Sequence, residues 1–164
     1  PCHVLVSRGP IDIDGRFNAP LVTTEFDPET QAAVSMAKSM SEPAATLTIV
    51  HAWQYPVGSW GLSLIGANSR PAQALRTAIV DSAMERGNAM AVAQRQATRG
   101  DVEFVLVEGS AADAVTEYAQ THQHDLIVVG SHGRHGVGRV LLGSVAEAIV
   151  RHAGCSVLVT RRAQ

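Results

Sequence analysis

Chemistry in this chain concentrates between Gly130 and Ser144, in the run Gly-Ser-His-Gly-Arg-His-Gly-Val-Gly-Arg-Val-Leu-Leu-Gly-Ser. An apolar stretch, Leu126-Ile127-Val128-Val129, leads into it, and Ser144 opens a helix-like stretch after it. At a strand-to-helix junction of this kind, backbone N–H groups and the helix dipole favour an anion. Gly130, Gly133 and Gly143 remove Cβ atoms where the main chain must approach a ligand closely, and the Ser144 hydroxyl adds a donor. Arg134 and Arg139 add positive charge on long side chains. The expected chemistry is phosphate binding. The plainer alternative is a surface loop of low-bulk residues followed by a capping box, Ser144 with Glu147. Capping is compatible with anion binding, and it does not by itself call for three glycines at these intervals.

Neither of the two best-known phosphate fingerprints is present. No Gly-Lys-Ser or Gly-Lys-Thr follows the glycines, so the lysine of a P-loop is missing, and the spacing is not that of a dinucleotide-binding turn. Seven histidines raise the question of a metal, with His122 and His124 as one pair and His132 and His135 as another. A zinc site draws three or four ligands together, and these pairs fall on opposite sides of one strand, so no metal site is expected. His132, Arg134 and His135 beside a bound phosphate could support slow hydrolysis of ATP, but no carboxylate pattern positions a water. Binding or sensing is expected ahead of turnover, with no catalytic residue assigned.

A site of this kind needs a sheet to carry it. With 164 residues and a hydrophobic fraction of 46%, the chain suits one main domain with a buried core. A formal net charge of -2, from 13 basic and 15 acidic residues, leaves no basic excess for a nucleic-acid backbone or an anionic membrane. No apolar stretch reaches the roughly 18 residues of a membrane helix, and a cytoplasmic location is the default expectation. Cys2 and Cys155 each adjoin a Val-Leu-Val run and are expected to be reduced, buried thiols.

Along the chain, strands and helices alternate. Leu21 to Glu25 is a strand feeding a helix capped by Asp27, with Pro28 in its first turn and Ala33, Met36, Ala37 and Met40 at helical spacing. Ser41-Glu42-Pro43 stops that helix before a second strand, Thr46 to Ala52. Trp53 to Arg70 reads as a long loop, after which Pro71 opens a long helix. Its predicted inner face is Leu75, Ala78, Ile79, Ala83, Met90, Ala93 and Ala97, with Gly87 as a weak point and Gly100 as the stop. Val102 to Val107 is a third strand, and a capping box of Ser110 and Asp113 starts a helix with Val115, Tyr118 and Ala119 inward. Leu126 to Val129, apolar without alternation, is a strand buried on both faces. A last helix ends at Gly154 before the strand Ser156 to Thr160. The order predicts an α/β fold: an open parallel sheet of five strands with helices on both faces and ligands bound beyond the strands' carboxyl ends.

The opening segment repeats the closing one. Cys2-His3-Val4-Leu5-Val6-Ser7-Arg8 matches Cys155-Ser156-Val157-Leu158-Val159-Thr160-Arg161 in register, with Cys, Val, Leu, Val and Arg identical. We expect residues 1–8 to be the last strand of a preceding, related domain, 9–20 a linker and 21–164 the main domain. Val4 to Ser7 should then pair antiparallel with Val157 to Thr160.

The pattern Gly130-x2-Gly133-x9-Gly143-Ser144 resembles the ATP-binding signature of the universal stress protein family, and the resemblance extends from Leu21 to Arg161. It implies an adenine nucleotide alpha hydrolase-like sheet of order 3-2-1-4-5, bound ATP with or without Mg2+, and pairing with a related domain or a second copy through the last strand. It also implies a nucleotide site drawn from Thr23, Glu25 and Ala52 at the strand ends and from Gly130, Gly133, Arg134, Gly143, Ser144 and Val145. Glu25 departs from the pattern, which commonly has Asp there, and the extra methylene moves the carboxylate by about a bond length. An alternative class of function is a ligand-independent scaffold that recruits partners through Trp53, Tyr55 and Trp60.

Overall fold

Apolar runs and helix breakers resolve into six strands and four helices among residues 2–8, 15–54, 69–98, 100–131 and 142–161, which the computed structural model describes. In chain order these are β1 (Val4–Val6), β2 (Pro20–Thr23), α1 (Glu29–Ser39), β3 (Leu47–Trp53) and α2 (Arg70–Thr98). There follow β4 (Val102–Glu108), α3 (Ala111–Thr121), β5 (Leu126–Gly130), α4 (Ser144–His152) and β6 (Ser156–Thr160).

One sheet holds all six strands in the order β1-β6-β5-β2-β3-β4. Strands β2 to β6 are parallel and follow the predicted order 3-2-1-4-5 when β2 is counted as the first. To the expected five-stranded parallel sheet β1 adds a sixth strand, antiparallel to β6 as the repeat predicts, over Val4 to Val6. An apolar strand beside an open edge satisfies backbone groups of both.

The connections divide the helices between the two faces. On one, α1 and α2 cover Val22, Leu47, Ile49, Val102, Phe104, Leu126, Val128 and Leu158. On the other, α3 and α4 cover Leu21, Val50, Ile127, Val129, Val157 and Val159. Alternate residues of β5 therefore enter different cores, which is why its sequence is apolar throughout. The chain leaves β2 in one direction and β5 in the other, and the crevice between their carboxyl ends is the topological switch point.

Several local expectations are revised. Strand β2 stops at Thr23 rather than Glu25, because Phe26 takes the left-handed conformation at φ 58° and turns the chain. Strand β3 runs on through Trp53, which is buried instead of lying in a loop. In α2 the buried positions are Ala72, Ala83, Gly87, Ala91 and Gln94, while Leu75, Ala78, Ala93 and Ala97 are exposed. The stripe turns toward its smallest residues because the Phe104 ring fills the space beside Gly87, where a Cβ would lie 2.1 Å from a ring carbon. Asp27 does cap α1: its Oδ1 accepts from the N–H groups of Glu29 at 2.8 Å and Thr30 at 3.1 Å. The other two capping boxes do not form. Ser110 makes no side-chain cap bond, and Gly143 occupies the cap position of α4, with Glu147 bonded to Arg151 one turn on.

Candidate functional site

The carboxyl ends of β3, β2, β5 and β6 bring separate parts of the sequence to one edge of the sheet. Ala52 is the penultimate residue of β3, Thr23 the last of β2 and Gly130 the last of β5, where it faces Thr160. Thr23 Oγ1 lies 3.5 Å from the Val128 carbonyl, a long contact between β2 and β5 at the switch point. Glu25 follows β2 in the turn to α1 and is half-buried. Gly143, Ser144 and Val145 form the start of α4. Gly133 and Arg134, with Arg139, His132 and His135, lie outside the described residues, as do Tyr55 and Trp60.

Helix α4 begins in a form that suits an anion. Its first intrahelical bond runs from the Glu147 N–H to the Gly143 carbonyl at 2.9 Å. The N–H groups of Ser144, Val145 and Ala146 therefore have no acceptor within the helix. Gly143, at the cap position, has no side chain to offer this end, and Ser144 and Val145 are exposed. The backbone at Gly143, φ -60° and ψ 147°, is one that any residue adopts. What glycine supplies here is the missing Cβ rather than conformational freedom.

Ser131, which sequence reasoning did not single out, ties the glycine-rich segment together. Its N–H donates to the Thr160 carbonyl at 2.8 Å, and its own carbonyl accepts from the Gly143 N–H at 2.9 Å. The segment's departure from β5 and its return into α4 are thereby fixed to each other and to β6. Ser131 is 2% exposed, so these bonds are shielded from competing water. Its position directly after Gly130 was the only signal in the sequence.

Turn residues around Glu25 are held with similar care. Thr24 Oγ1 accepts from the Phe26 N–H at 2.8 Å and lies 2.7 Å from Thr30 Oγ1. His51 Nδ1 is 2.7 Å from the Thr24 carbonyl, and a carbonyl only accepts, so Nδ1 carries the proton. The Phe26 ring packs with its centre 4.4 Å from that of the His51 ring and 4.3 Å from the Arg86 guanidinium above it. These contacts stabilise a positive φ that is costly for an aromatic residue. Together they join the ends of β2 and β3 to α2.

His122 and His124 serve the opposite end of the sheet. His122 and His124 stack on Tyr118, and their Nδ1 atoms bond the carbonyls of Tyr118 and Ala19. No cluster of three or more metal-binding side chains occurs among the described residues. Nor does any helix among them have the length and apolar character to cross a membrane. Trp53, expected as an exposed anchor, is 7% exposed, with the Arg76 guanidinium 5.7 Å from its ring centre.

Comparison with known proteins adds to this geometry. The profile of the Universal stress protein family matches residues 20–161. Universal stress protein A homolog 2 of Coxiella burnetii is 33% identical over 143 residues, which are 86% of this chain and 92% of its own. Among solved structures, the hypothetical protein MJ0577 superposes with a TM-score of 0.71 at 20% identity, over 90% of this chain and 97% of its own. A universal stress protein in complex with cAMP gives a TM-score of 0.53 at 26% identity, over 88% of this chain and 96% of its own. A universal stress protein from Archaeoglobus fulgidus, with a TM-score of 0.60 and 18% identity, matches 99% of this chain over 50% of its own length.

Proposed function

The chain belongs to the universal stress protein family, and we propose that its 21–164 domain is a regulatory module of the cytoplasm that binds an adenine nucleotide, ATP foremost. The observation that carries the proposal is the start of α4 with Gly143, which has no side chain, at its cap position, and the segment's ends tied through Ser131. In this reading Gly130, Gly133, Gly143, Ser144 and Val145 hold the phosphates through main-chain N–H groups and the Ser144 hydroxyl. Arg134 adds charge, while Thr23, Glu25 and Ala52 meet the nucleoside at the switch point. Two features support this reading: main-chain donors gather at the start of α4, and Glu25 follows directly on the carboxyl end of β2 at the switch point. Mg2+ would accompany the phosphates as their counter-ion. We read the site as one of binding, with hydrolysis slow or absent.

Support for a nucleotide as ligand class comes from the relative solved in complex with cAMP. The scaffold alternative loses one of its three proposed anchors, because Trp53 is buried. We also read β1 as the last strand of a preceding domain of the same family. The match of nearly the whole chain to half of the Archaeoglobus fulgidus protein supports that reading.

Calorimetric titration of ATP with Mg2+ tests the site. Saturable binding is expected, with affinity falling at least about tenfold in a Gly133→Ala, Gly143→Ala double variant, since each Cβ obstructs close approach to phosphate. Glu25→Asp should tighten binding by restoring the shorter carboxylate. Absence of binding by folded, unaltered protein would reject the nucleotide reading and favour the scaffold.

A further inference from the structure

The repeated segment does more than reappear, because its two copies are paired with each other. Val4 faces Val159, Leu5 faces Leu158 and Val6 faces Val157. Within the repeat, Val4 corresponds to Val157, Leu5 to Leu158 and Val6 to Val159. Leu5 thus sits opposite its own counterpart, and the valines on either side exchange places. This is the register of a local two-fold axis passing between Leu5 and Leu158.

Hydrogen bonds beyond the strands follow the same axis. The Arg8 N–H donates to Ser156 Oγ at 3.1 Å, and the Arg161 N–H donates to His3 Nδ1 at 3.2 Å. Arg8 corresponds to Arg161 and Ser156 to His3, so each bond is the image of the other with a different acceptor. The Arg8 guanidinium also donates to the carbonyls of Ala153 and, at 2.7 Å, Val150. These carbonyls belong to the C-terminal end of α4, where acceptors lack helical partners and partial negative charge collects. Arg8 is the cap of α4.

Burial breaks the symmetry. Val157 and Leu158 are 0% and 3% exposed, whereas their counterparts Val4 and Leu5 are 51% and 39% exposed. Identical apolar residues covered in one copy and uncovered in the other indicate that β1 has a core of its own to join.

We propose that Arg161 is the reciprocal cap for the last helix of a second domain of this same fold, the domain to which β1 belongs. The proposal rests on the reading of β1 given above and adds the recognition chemistry. The operation that carries Arg8 onto Arg161 also carries the end of α4 to a position beside the Arg161 side chain. The occupant is therefore a helix that ends just before a Cys-x-Val-Leu-Val strand, as α4 ends just before Cys155. Each domain contributes one strand and one arginine, which makes the contact isologous.

The test uses the full chain with β1 disabled by Leu5→Pro and Val6→Pro. Adjacent residues of a strand send their N–H groups to opposite sides, so one of the two prolines removes a bond to β6. The freed β6 edge can then meet β6 of a second copy about the same axis. Sedimentation should show a dimer for this variant and a monomer for the unaltered chain. Adding Arg161→Ala should weaken the dimer about tenfold, as expected for a lost charge-assisted cap, and leave the melting temperature of the unaltered chain unchanged. A folded proline variant that stays monomeric would overturn the two-fold reading and the β1 assignment together. A dimer indifferent to Arg161→Ala would overturn the cap alone. Should the proline variant not fold, deleting residues 2–8 frees the same β6 edge, and the same two readouts decide: a dimer, and its weakening about tenfold by Arg161→Ala.

Discussion

At Cys155 a thiol meets two opposing influences. Burial pushes its pKa up and the Asp125 carboxylate adds to that, while a backbone hydrogen bond and Arg8 pull the other way without prevailing. A raised pKa leaves less thiolate at pH 8, and thiolate is the reactive form. Cys2, the repeat counterpart, is exposed. Alkylation by iodoacetamide at pH 8, followed by peptide mass mapping, should therefore modify Cys2 well before Cys155. Equal rates would mean that the environment of Cys155 opens readily in solution. Cysteines at matching positions of the repeat thus acquire different chemistry from their surroundings, which the shared Cys-x-Val-Leu-Val pattern does not separate.

At the scale of elements, Gly87 makes the clearest case. In an isolated helix, glycine to alanine gains about 1 kcal/mol. Here the added methyl would fall 2.1 Å from the Phe104 ring, and overpacking of a core contact costs roughly 1–3 kcal/mol. We expect Gly87→Ala to lower the protein's stability in urea denaturation; a stabilised variant would show that α2 and β4 separate easily. The same residue explains a misplaced helix face. The apolar period of α2 was visible in the sequence, but its phase depended on Phe104, some seventeen positions further along. The alternation of strands and helices and the turn at Asp27 were legible because each follows from local rules, apolar runs and cap geometry, whereas the strand order came only with the family resemblance. The caps expected at Ser110 and Ser144 were not legible, since Glu147 could bond either the helix start or Arg151, and only the fold decides. The glycine spacing of the candidate site was plain, whereas the Ser131 tie required β6 to be in place.

Over the whole molecule, stability should be graded across the sheet. β2, β3 and β5 lie inside it with both neighbours paired, and Leu21, Ile49, Val50 and Ile127 are fully buried. β1 has three residues, one paired side and exposed valine and leucine. Native-state hydrogen exchange should find the slowest amides in the interior strands and the fastest strand amides in β1, because opening an edge exposes little apolar surface. Slow exchange in β1 would instead mean that Arg8 and Ser156 bind the edge to the body as firmly as the core itself.

The Ser131 tie has a consequence for how such a protein can diversify. With one end of the glycine-rich interval bonded to β6 and the other bonded back to Ser131, its two ends remain neighbours whatever lies between them. Lengthening a closed interval is entropically inexpensive, about 0.6 kcal/mol for each doubling. The interval is in effect a cassette on a fixed mount, whose contents can be exchanged without retuning the sheet beneath.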